Sequence, residues 1–449
     1  MDLKGKHVLV LGLGETGISA VNWLKSKGAE VHAADTRENP PGASGLEGIP
    51  VSTGPFRQEL LKDKDLVLIS PGLSLDEPLI KAAGKMGIPV FGDVELFARE
   101  IMDRHPVPKV IAITGSNGKS TVTSMVGEMC SKGGLNTVVA GNIGLPVLNT
   151  LDENPSVYVL ELSSFQLETL ESLNAASATV LNLSEDHLDR YASMTEYGRA
   201  KAAIFHGSGL QVLNRDDPAT LSMKIEGRAL LTFGSSLPKD ESEYGLVREG
   251  NETWLARGKK RLMKASDLKV TGLHNALNAL ASLALCSCLD VPEENLVQAL
   301  KAFRGLPHRV EKIGEMEGVT FYDDSKGTNV GATIAALKGL EGKVVLILGG
   351  DGKGQDFSPL REPVESHARA VVLIGRDAPV IECALSKKTQ ILHAKDMMDA
   401  VKQAFGAAQK GDSVLLSPAC ASFDMYRNYV HRAEVFVDAF GKLEACRRS

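Results

Sequence analysis

The residues best suited to chemistry lie where an apolar strand gives way to a helix, in the run Thr-Gly-Ser-Asn-Gly-Lys-Ser-Thr at 114–121. Glycines let backbone N–H groups surround phosphate oxygens, and a helix N-terminus adds a favourable dipole. Lys119 would bridge phosphates, and the Ser120 hydroxyl would ligate Mg²⁺. The general P-loop pattern has glycine where this chain has Ile113, and the alternative is an ordinary strand–turn–helix connection. The run predicts ATP binding by Gly115, Ser116, Asn117, Gly118, Lys119, Ser120 and Thr121.

Two further polar residues follow neighbouring strands. Glu161 closes the apolar strand 157–160, and His187 follows a strand expected at 179–183. The carboxyl ends of parallel strands share one edge of a sheet, and a P-loop needs a carboxylate to hold or orient its metal. We therefore expect Glu161 and His187 to lie beside the P-loop. The alternatives are a surface glutamate and a structural histidine.

A second glycine loop lies near the start of the chain. Gly-Leu-Gly-Glu-Thr-Gly at 12–17 fits GxGxxG, and Asp35 closes the next strand at nearly the spacing of a dinucleotide-binding fingerprint. An NAD-dependent dehydrogenase is one interpretation, but nothing downstream resembles a hydride-transfer site, and the ATP loop would have no role. The same geometry binds a single diphosphate-linked nucleotide such as UDP. The remaining alternative is a loop that only makes a turn.

The composition excludes several classes of protein. Of the 449 residues, 43% are apolar and 24% are charged, as in a folded globular protein. A net charge of −6 provides no overall basic field for nucleic acid. No apolar run approaches the roughly 20 residues that span a bilayer, and the first residues resemble neither a signal peptide nor a lipid anchor. The six cysteines lack CxxC or zinc-ligand spacing. We therefore expect a cytoplasmic protein with reduced thiols, and by default a monomer.

The elements that must position these loops alternate between strand and helix. The pattern predicts an α/β fold with three domains in series: a Rossmann-like N-terminal domain at 1–97, a linker at 98–108, a central P-loop ATPase-like domain at 109–305, and a C-terminal Rossmann-like domain at 306–449. Short alternating strands at 244–266 predict a small β meander at the edge of the central domain. A long Ala/Leu-rich helix is expected at about 274–289.

Taken together, these motifs resemble the Mur ligases of peptidoglycan synthesis over essentially the full chain, and among them the branch that adds D-glutamate. The family-wide motifs are residues 114–121, Glu161, His187, the helix start at 274–279, His308-Arg309, and Asp-Asp-Ser-Lys-Gly-Thr-Asn at 323–329. The motifs of the branch are residues 12–17, Asp-Thr-Arg at 35–37, Gly-Gly-Asp-Gly-Lys at 349–353, and Ser-Pro-Ala-Cys-Ala-Ser-Phe-Asp at 417–424. The shortened P-loop is normal for that family.

The resemblance implies ATP-dependent amide-bond synthesis through an acyl phosphate, with Mg²⁺ as cofactor and the small molecules UDP-N-acetylmuramoyl-L-alanine and D-glutamate as partners. It implies catalytic roles for Lys119, Glu161, His187 and Lys201, and metal binding by Ser120, Glu161, His187 and Lys201. For ATP it adds Asn275, Asn278, Arg309, Asp324 and Lys326. For the UDP substrate it implies Gly14, Glu15, Thr16, Asp35, Thr36, Arg37, Gly72, Asn142 and His187. For D-glutamate it implies Thr328, Lys353, Ser422 and the Phe423 backbone.

Lys201 carries the most specific of these expectations. Ser193 and Glu196 form a capping-box pattern, so Lys201 should lie about two turns into a helix among small apolar residues. Burial lowers the pKa of lysine, and only the neutral amine reacts with CO₂. Physical reasoning alone favours a surface lysine whose stem covers apolar groups. The resemblance implies instead that Lys201 is carbamylated.

Two rival interpretations accompany the ligase. One is a sibling of the superfamily, either another Mur ligase or an enzyme like folylpolyglutamate synthase, although siblings without a Rossmann-like first domain would not need the loop at 12–17. The other, from a different class, is a P-loop ATPase switch without ligase chemistry.

Overall fold

A computed structural model of the protein describes residues 1–186, 190–270 and 272–448. His187 and its two following residues, Thr271 and Ser449 lie outside the described part. The chain forms three α/β domains in series, each built on its own sheet. Among the described residues, no helix is long and apolar enough to cross a membrane.

The N-terminal domain packs helices against a parallel sheet. Its elements are β1 (His7–Leu11), α1 (Glu15–Ser26), β2 (Glu30–Asp35), β3 (Val51–Thr53), β4 (Leu66–Ile69), α2 (Pro78–Lys85), β5 (Val90–Phe91) and α3 (Asp93–Met102). The strand order is β3-β2-β1-β4-β5. Because β1 pairs in parallel with both β2 and β4, the order in which strands are added to the sheet reverses at β1, which leaves a crevice at the carboxyl ends of these strands.

The central domain is built around a larger sheet in the order β14-β13-β12-β11-β10-β9-β6-β8-β7. Its elements are β6 (Lys109–Thr114), α4 (Lys119–Lys132), β7 (Thr137–Gly141), β8 (Val157–Glu161), α5 (Ser164–Leu167), β9 (Ser177–Val180), α6 (Met194–Ala202), β10 (Leu210–Asn214), α7 (Pro218–Leu221), β11 (Leu230–Phe233), β12 (Glu243–Glu249), β13 (Glu252–Arg257), β14 (Lys260–Lys264), α8 (Leu273–Cys286) and α9 (Glu293–Ala302). Strands β12, β13 and β14 pair antiparallel, which is the meander that the sequence predicts.

The C-terminal domain has a sheet in the order β15-β16-β20-β17-β18-β19, parallel except for the edge strand β15. Its elements are β15 (Glu311–Met316), β16 (Val319–Asp323), α10 (Val330–Gly339), β17 (Val344–Leu348), α11 (Arg361–His367), β18 (Ala368–Leu373), α12 (Ala378–Ala384), β19 (Gln390–His393), α13 (Met397–Ala407), β20 (Ser413–Leu416) and α14 (Tyr429–Arg448). Its inner strands are fully buried because helices cover both faces.

Two elements differ from the sequence prediction. The strand expected at 179–183 ends at Val180, because the next residues turn toward the P-loop: the Ser116 N–H donates to Asn182 O, and the Leu183 N–H donates to the Asp217 carboxylate. Helix α8 ends at Cys286, earlier than expected.

Helix α3 runs across the predicted boundary at residue 97. The domain boundaries therefore stay predictions.

Candidate functional site

The P-loop follows the central strand β6 and opens helix α4. Gly115 and Gly118 have φ values of +152° and +82°, in the region that favours glycine. The Lys119 ammonium donates to the carbonyls of Gly115 and Ser116, at 2.9 Å each. Burial is the main cause of its lowered pKa. The loop thus holds a desolvated cation directly above its own backbone.

Glu161 ends β8, next to β6, as the strand pattern predicts. One carboxylate oxygen accepts a hydrogen bond from Asn142 Nδ2 at 2.7 Å. The other, Oε2, is buried and has no hydrogen-bond partner among the described residues. A buried carboxylate oxygen is a preferred ligand of Mg²⁺, so Glu161 fits a metal site. His187, the predicted neighbour, lies outside the described residues.

Lys201 lies in α6, which Ser193 caps by accepting the Glu196 N–H. The surface alternative for Lys201 is wrong, because the residue is only 1% exposed. Its ammonium donates to Gly115 O at 3.0 Å and to Thr114 Oγ1 at 3.3 Å. Burial, and next the charge of Lys119, hold its pKa well below the ordinary value.

These residues line a cleft of about 280 Å³ between the central and C-terminal domains. Arg309 reaches across it and donates to Ser120 Oγ at 2.8 Å. Lys326 lies over the Tyr429 ring, 3.9 Å from its centroid. Burial, and next the charge of Arg309, lower the pKa of Lys326 to about 8. Two domains therefore contribute cations to one cleft.

An adjoining cavity of about 340 Å³ continues from the P-loop toward α8 and α10. It shares Asn117, Gly118, Arg309 and Lys326 with the cleft. Its further lining includes the predicted ATP residues Thr121, Asn275, Asn278 and Asp324, and the apolar Leu277, Leu306 and Val310. An apolar cavity with a few amide groups next to a phosphate loop has the character of a nucleobase site.

A third cavity, of about 600 Å³, opens at the carboxyl ends of β1, β2 and β4. It is lined by every residue predicted for the UDP substrate within the described chain: Gly14, Glu15, Thr16, Asp35, Thr36, Arg37, Gly72 and Asn142. Asn142, Ser163 and Phe165 also line the cleft. The three cavities are therefore contiguous.

Asp35 organises this third cavity through a set of short hydrogen bonds. Its carboxylate accepts the Leu13 N–H at 2.7 Å and the Arg37 guanidinium at 2.7 and 2.8 Å. The bonds from Arg37 are the main cause that lowers the pKa of Asp35 to about 2. Asp35 thus fixes both the glycine loop and the orientation of Arg37.

The residues predicted for D-glutamate lie on three loops that follow the adjacent strands β16, β20 and β17. Thr328 lines the cleft. The loops of Lys353 and Ser422 meet through paired backbone hydrogen bonds between Asp351 and Ala421. Ser422 is buried, whereas Lys353 is exposed and the Phe423 side chain is 70% exposed.

The structure adds residues that sequence reasoning missed. Tyr197 lies one turn before Lys201, and its hydroxyl is 3.3 Å from Ser116 Oγ. Asp186 lines the cleft. Asn329 bonds to both Asn117 and Asp186 across the domains. Two features of the sequence could have indicated these residues. Tyr197 lies four residues before Lys201 in the same helix, and Asn329 is the last residue of the motif at 323–329.

Comparison with known protein families shows to which family the chain belongs. The Mur ligase MurD-like N-terminal domain matches residues 6–92, the Mur ligase middle domain matches 113–286, and the Mur ligase glutamate ligase domain matches 308–420. The chain belongs to the Mur ligase family. The predicted family, three-domain α/β fold and ligase class are thereby confirmed, and ligases of this family depend in general on ATP and Mg²⁺.

Individual relatives are similar to this Mur ligase over its whole length. It is 57% identical to the UDP-N-acetylmuramoylalanine–D-glutamate ligase of Methylobacillus flagellatus, covering 99% of this chain and 98% of that protein. It is 48% identical to the ligase of the same name from Chromobacterium violaceum, covering 100% of both. Among solved structures, its fold is similar to a pseudomurein peptide ligase type C from Methanothermus fervidus, with a TM-score of 0.63 at 19% identity, covering 98% and 100% of the two chains.

The lowered pKa of Lys326 gives a prediction about nucleotide binding by this Mur ligase. Above a pH of about 8 the free side chain loses its proton, so the cleft loses a cation. Binding of a non-hydrolysable ATP analogue should weaken by roughly tenfold between about pH 7 and pH 9. Lys326→Arg, which keeps its charge, should remove this step, whereas Lys338→Arg on exposed α10 surface should keep it. Identical pH profiles for wild type and Lys326→Arg would contradict the prediction that deprotonation of Lys326 weakens nucleotide binding.

Proposed function

We propose that this protein is an ATP-dependent ligase that joins D-glutamate to UDP-N-acetylmuramoyl-L-alanine, releasing ADP and phosphate, in the cytoplasmic stage of peptidoglycan synthesis. The observation that carries the proposal is the continuity of the three cavities. A uridine diphosphate site, a cation-lined cleft and a nucleobase site follow one another, so a long UDP-linked substrate and ATP would meet end to end at the P-loop. The close relatives named as D-glutamate ligases support the choice of amino acid. We also propose that the enzyme acts as a monomer.

In this proposal, the residues of the central and C-terminal domains hold ATP. The phosphates lie on Gly115, Ser116, Asn117, Gly118, Lys119, Ser120 and Thr121, and other parts of ATP contact Asn275, Asn278 and Asp324, while Arg309 and Lys326 reach the nucleotide from across the cleft. The UDP moiety contacts Gly14, Glu15, Thr16, Asp35, Thr36, Arg37 and Gly72, with Asn142 at the junction to the cleft. D-glutamate contacts Thr328, Lys353, Ser422 and the Phe423 backbone.

The chemistry begins when the alanyl carboxylate attacks the γ-phosphorus of ATP, forming an acyl phosphate and ADP. The amine of D-glutamate then attacks the acyl carbon, loses a proton, and phosphate departs from the tetrahedral intermediate. Lys119, Lys326 and Arg309 offset the negative charges that must approach one another in both steps. Ser120, Glu161, His187 and, once carbamylated, Lys201 would hold Mg²⁺, which would supply further charge neutralisation.

A phosphate-release screen tests this function. UDP-linked muramoyl substrates are crossed with amino acids of both hands, with folate and L-glutamate as a separate arm. We expect phosphate only when UDP-N-acetylmuramoyl-L-alanine and D-glutamate are both present. Release with ATP alone would identify an ATPase switch, and release with another pair would identify a sibling ligase.

The first glycine loop should bind the UDP moiety and not a dinucleotide. Gly14 lines the third cavity in an extended conformation, and a Cβ there would meet nothing within 4 Å. Gly14→Val should therefore fold normally, fill space that the diphosphate needs, and raise the KM for the UDP substrate by about tenfold with little change in the KM for ATP. Gly45→Val, at another open glycine away from the cavity, is the control. Equal increases in both KM values would refute the assignment.

We further propose that Lys201 is carbamylated. Its buried amine, with a lowered pKa, would add to CO₂, forming an N–C bond and releasing a proton, and the resulting carboxylate would help to hold metal beside Glu161. Lys201→Ala should lose most ligase activity and regain part of it with added short-chain carboxylates, whereas exposed Lys132→Ala should behave as wild type. Isotopically labelled bicarbonate should produce a carbamate carbon signal in wild type only. Near wild-type turnover of Lys201→Ala, or no such signal, would refute this proposal.

A further inference from the structure

One side chain joins the C-terminal domain directly to the P-loop. Asn329 Nδ2 donates to Asn117 Oδ1 at 3.1 Å and to Asp186 Oδ2 at 3.3 Å. Its Oδ1 accepts the Ala332 N–H at 2.8 Å and caps α10. The residue is only 4% exposed. The same carboxamide therefore starts a helix of one domain and bonds to the phosphate loop of another.

The P-loop side of this contact is also held in place. The backbone N–H of Asn117 donates to Asn182 Oδ1 at 2.8 Å, and its backbone oxygen accepts from Asn182 Nδ2 at 3.0 Å. Its side-chain Nδ2 donates to Ser184 Oγ at 3.1 Å, which leaves Oδ1 to face Asn329. The contact therefore depends on the conformation of the loop that surrounds phosphate in the proposed function.

A second feature of α10 shows how closely the two domains approach. A Cβ added to Gly331 would lie 3.0 Å from Ser184 Oγ and 3.1 Å from Asn117 Nδ2. These distances are shorter than ordinary contacts of a methyl group, so glycine allows the first turn of α10 to lie against the P-loop. The Asn329 bonds and the absence of a side chain at Gly331 therefore both allow the C-terminal domain to lie close to the P-loop.

We propose that Asn329 is a positioning residue that couples occupancy of the P-loop to closure of the C-terminal domain. Lys326 precedes it by three residues and faces the same cleft, so a shift at Asn329 also moves a cation that would contact phosphate. Because coupling is reciprocal, nucleotide that orders the loop favours the closed domain, and closure strengthens nucleotide binding. This inference rests on the proposed nucleotide site.

Substitution of Asn329 separates coupling from helix capping. Serine caps a helix about as well as asparagine and, like asparagine, carries no charge. Its side chain is too short to reach Asn117. Asn329→Ser should weaken binding of a fluorescent non-hydrolysable ATP analogue by about five- to tenfold, with unchanged Tm and unchanged binding of the UDP substrate. Asp396→Ser is the matched control, because Asp396 caps α13 in the same way by accepting the Asp399 N–H. It should change none of these quantities.

Substitution of Gly331 tests the same coupling without removing a hydrogen bond. Alanine favours a helix over glycine, so a purely structural role predicts an unchanged or higher Tm and normal binding. We expect Gly331→Ala to keep the Tm but to weaken analogue binding about fivefold, because its methyl group presses on Asn117 and Ser184. Gly406→Ala in α13, where a Cβ would meet nothing within 4 Å, should bind the analogue normally.

Small-angle scattering gives an independent readout of closure. Wild type should become more compact when the ATP analogue binds, and Asn329→Ser and Gly331→Ala should show less of this change at saturating analogue. If both variants bind and compact as wild type does, the coupling proposal is wrong. If wild type itself does not bind the analogue, the proposed nucleotide site is wrong instead.

Discussion

Basic side chains are crowded into one buried cleft, and their loss of contact with water is the constraint on which the rest of the site depends. Burial lowers the pKa values of Lys119, Lys201 and Lys326, and neighbouring cations lower each of them further. Glu161 and Asp186 raise the pKa of Lys119 and of Lys201. Such a cluster is stabilised by a bound polyanion, because phosphate oxygens replace the water that the ammonium groups have lost. The free-energy cost of burying these ammonium groups in the protein alone is therefore offset when ATP binds.

Parallel sheets explain how polar groups from distant parts of the chain reach one point. In the central domain, the P-loop, Asn142 and Glu161 follow the carboxyl ends of β6, β7 and β8, which are neighbours in the sheet. The loops after β16, β20 and β17 of the C-terminal domain meet in the same manner. A small number of strand ends therefore supplies many of the polar groups, while the strands behind them are apolar.

The predictability of each residue follows from how local its signal is. The P-loop, Glu161 and the loop at 12–17 were predictable because each directly follows an apolar strand, and strand ends are visible in sequence. The burial of Lys201 was not, because α6 alone does not reveal that its lysine faces the P-loop. Asn329 shows the same limit: its cap on α10 is local, but its bonds to Asn117 and Asp186 depend on how two domains meet.

A buried arginine explains why the loops of the C-terminal domain act together. Arg432 of α14 is 2% exposed, and it donates to Ser325 Oγ, to the Ser325 carbonyl and to the Cys420 carbonyl at 2.8–3.0 Å. Burial lowers its pKa to about 10, so it remains charged at neutral pH. A buried charge is tolerated when hydrogen bonds compensate for its lost water, and removing Arg432 would leave two loop carbonyls without this partner. The loops at 324–329 and 417–424 are therefore fixed to each other through α14, and movement of the domain carries as one body the proposed ATP and D-glutamate residues that lie on these two loops.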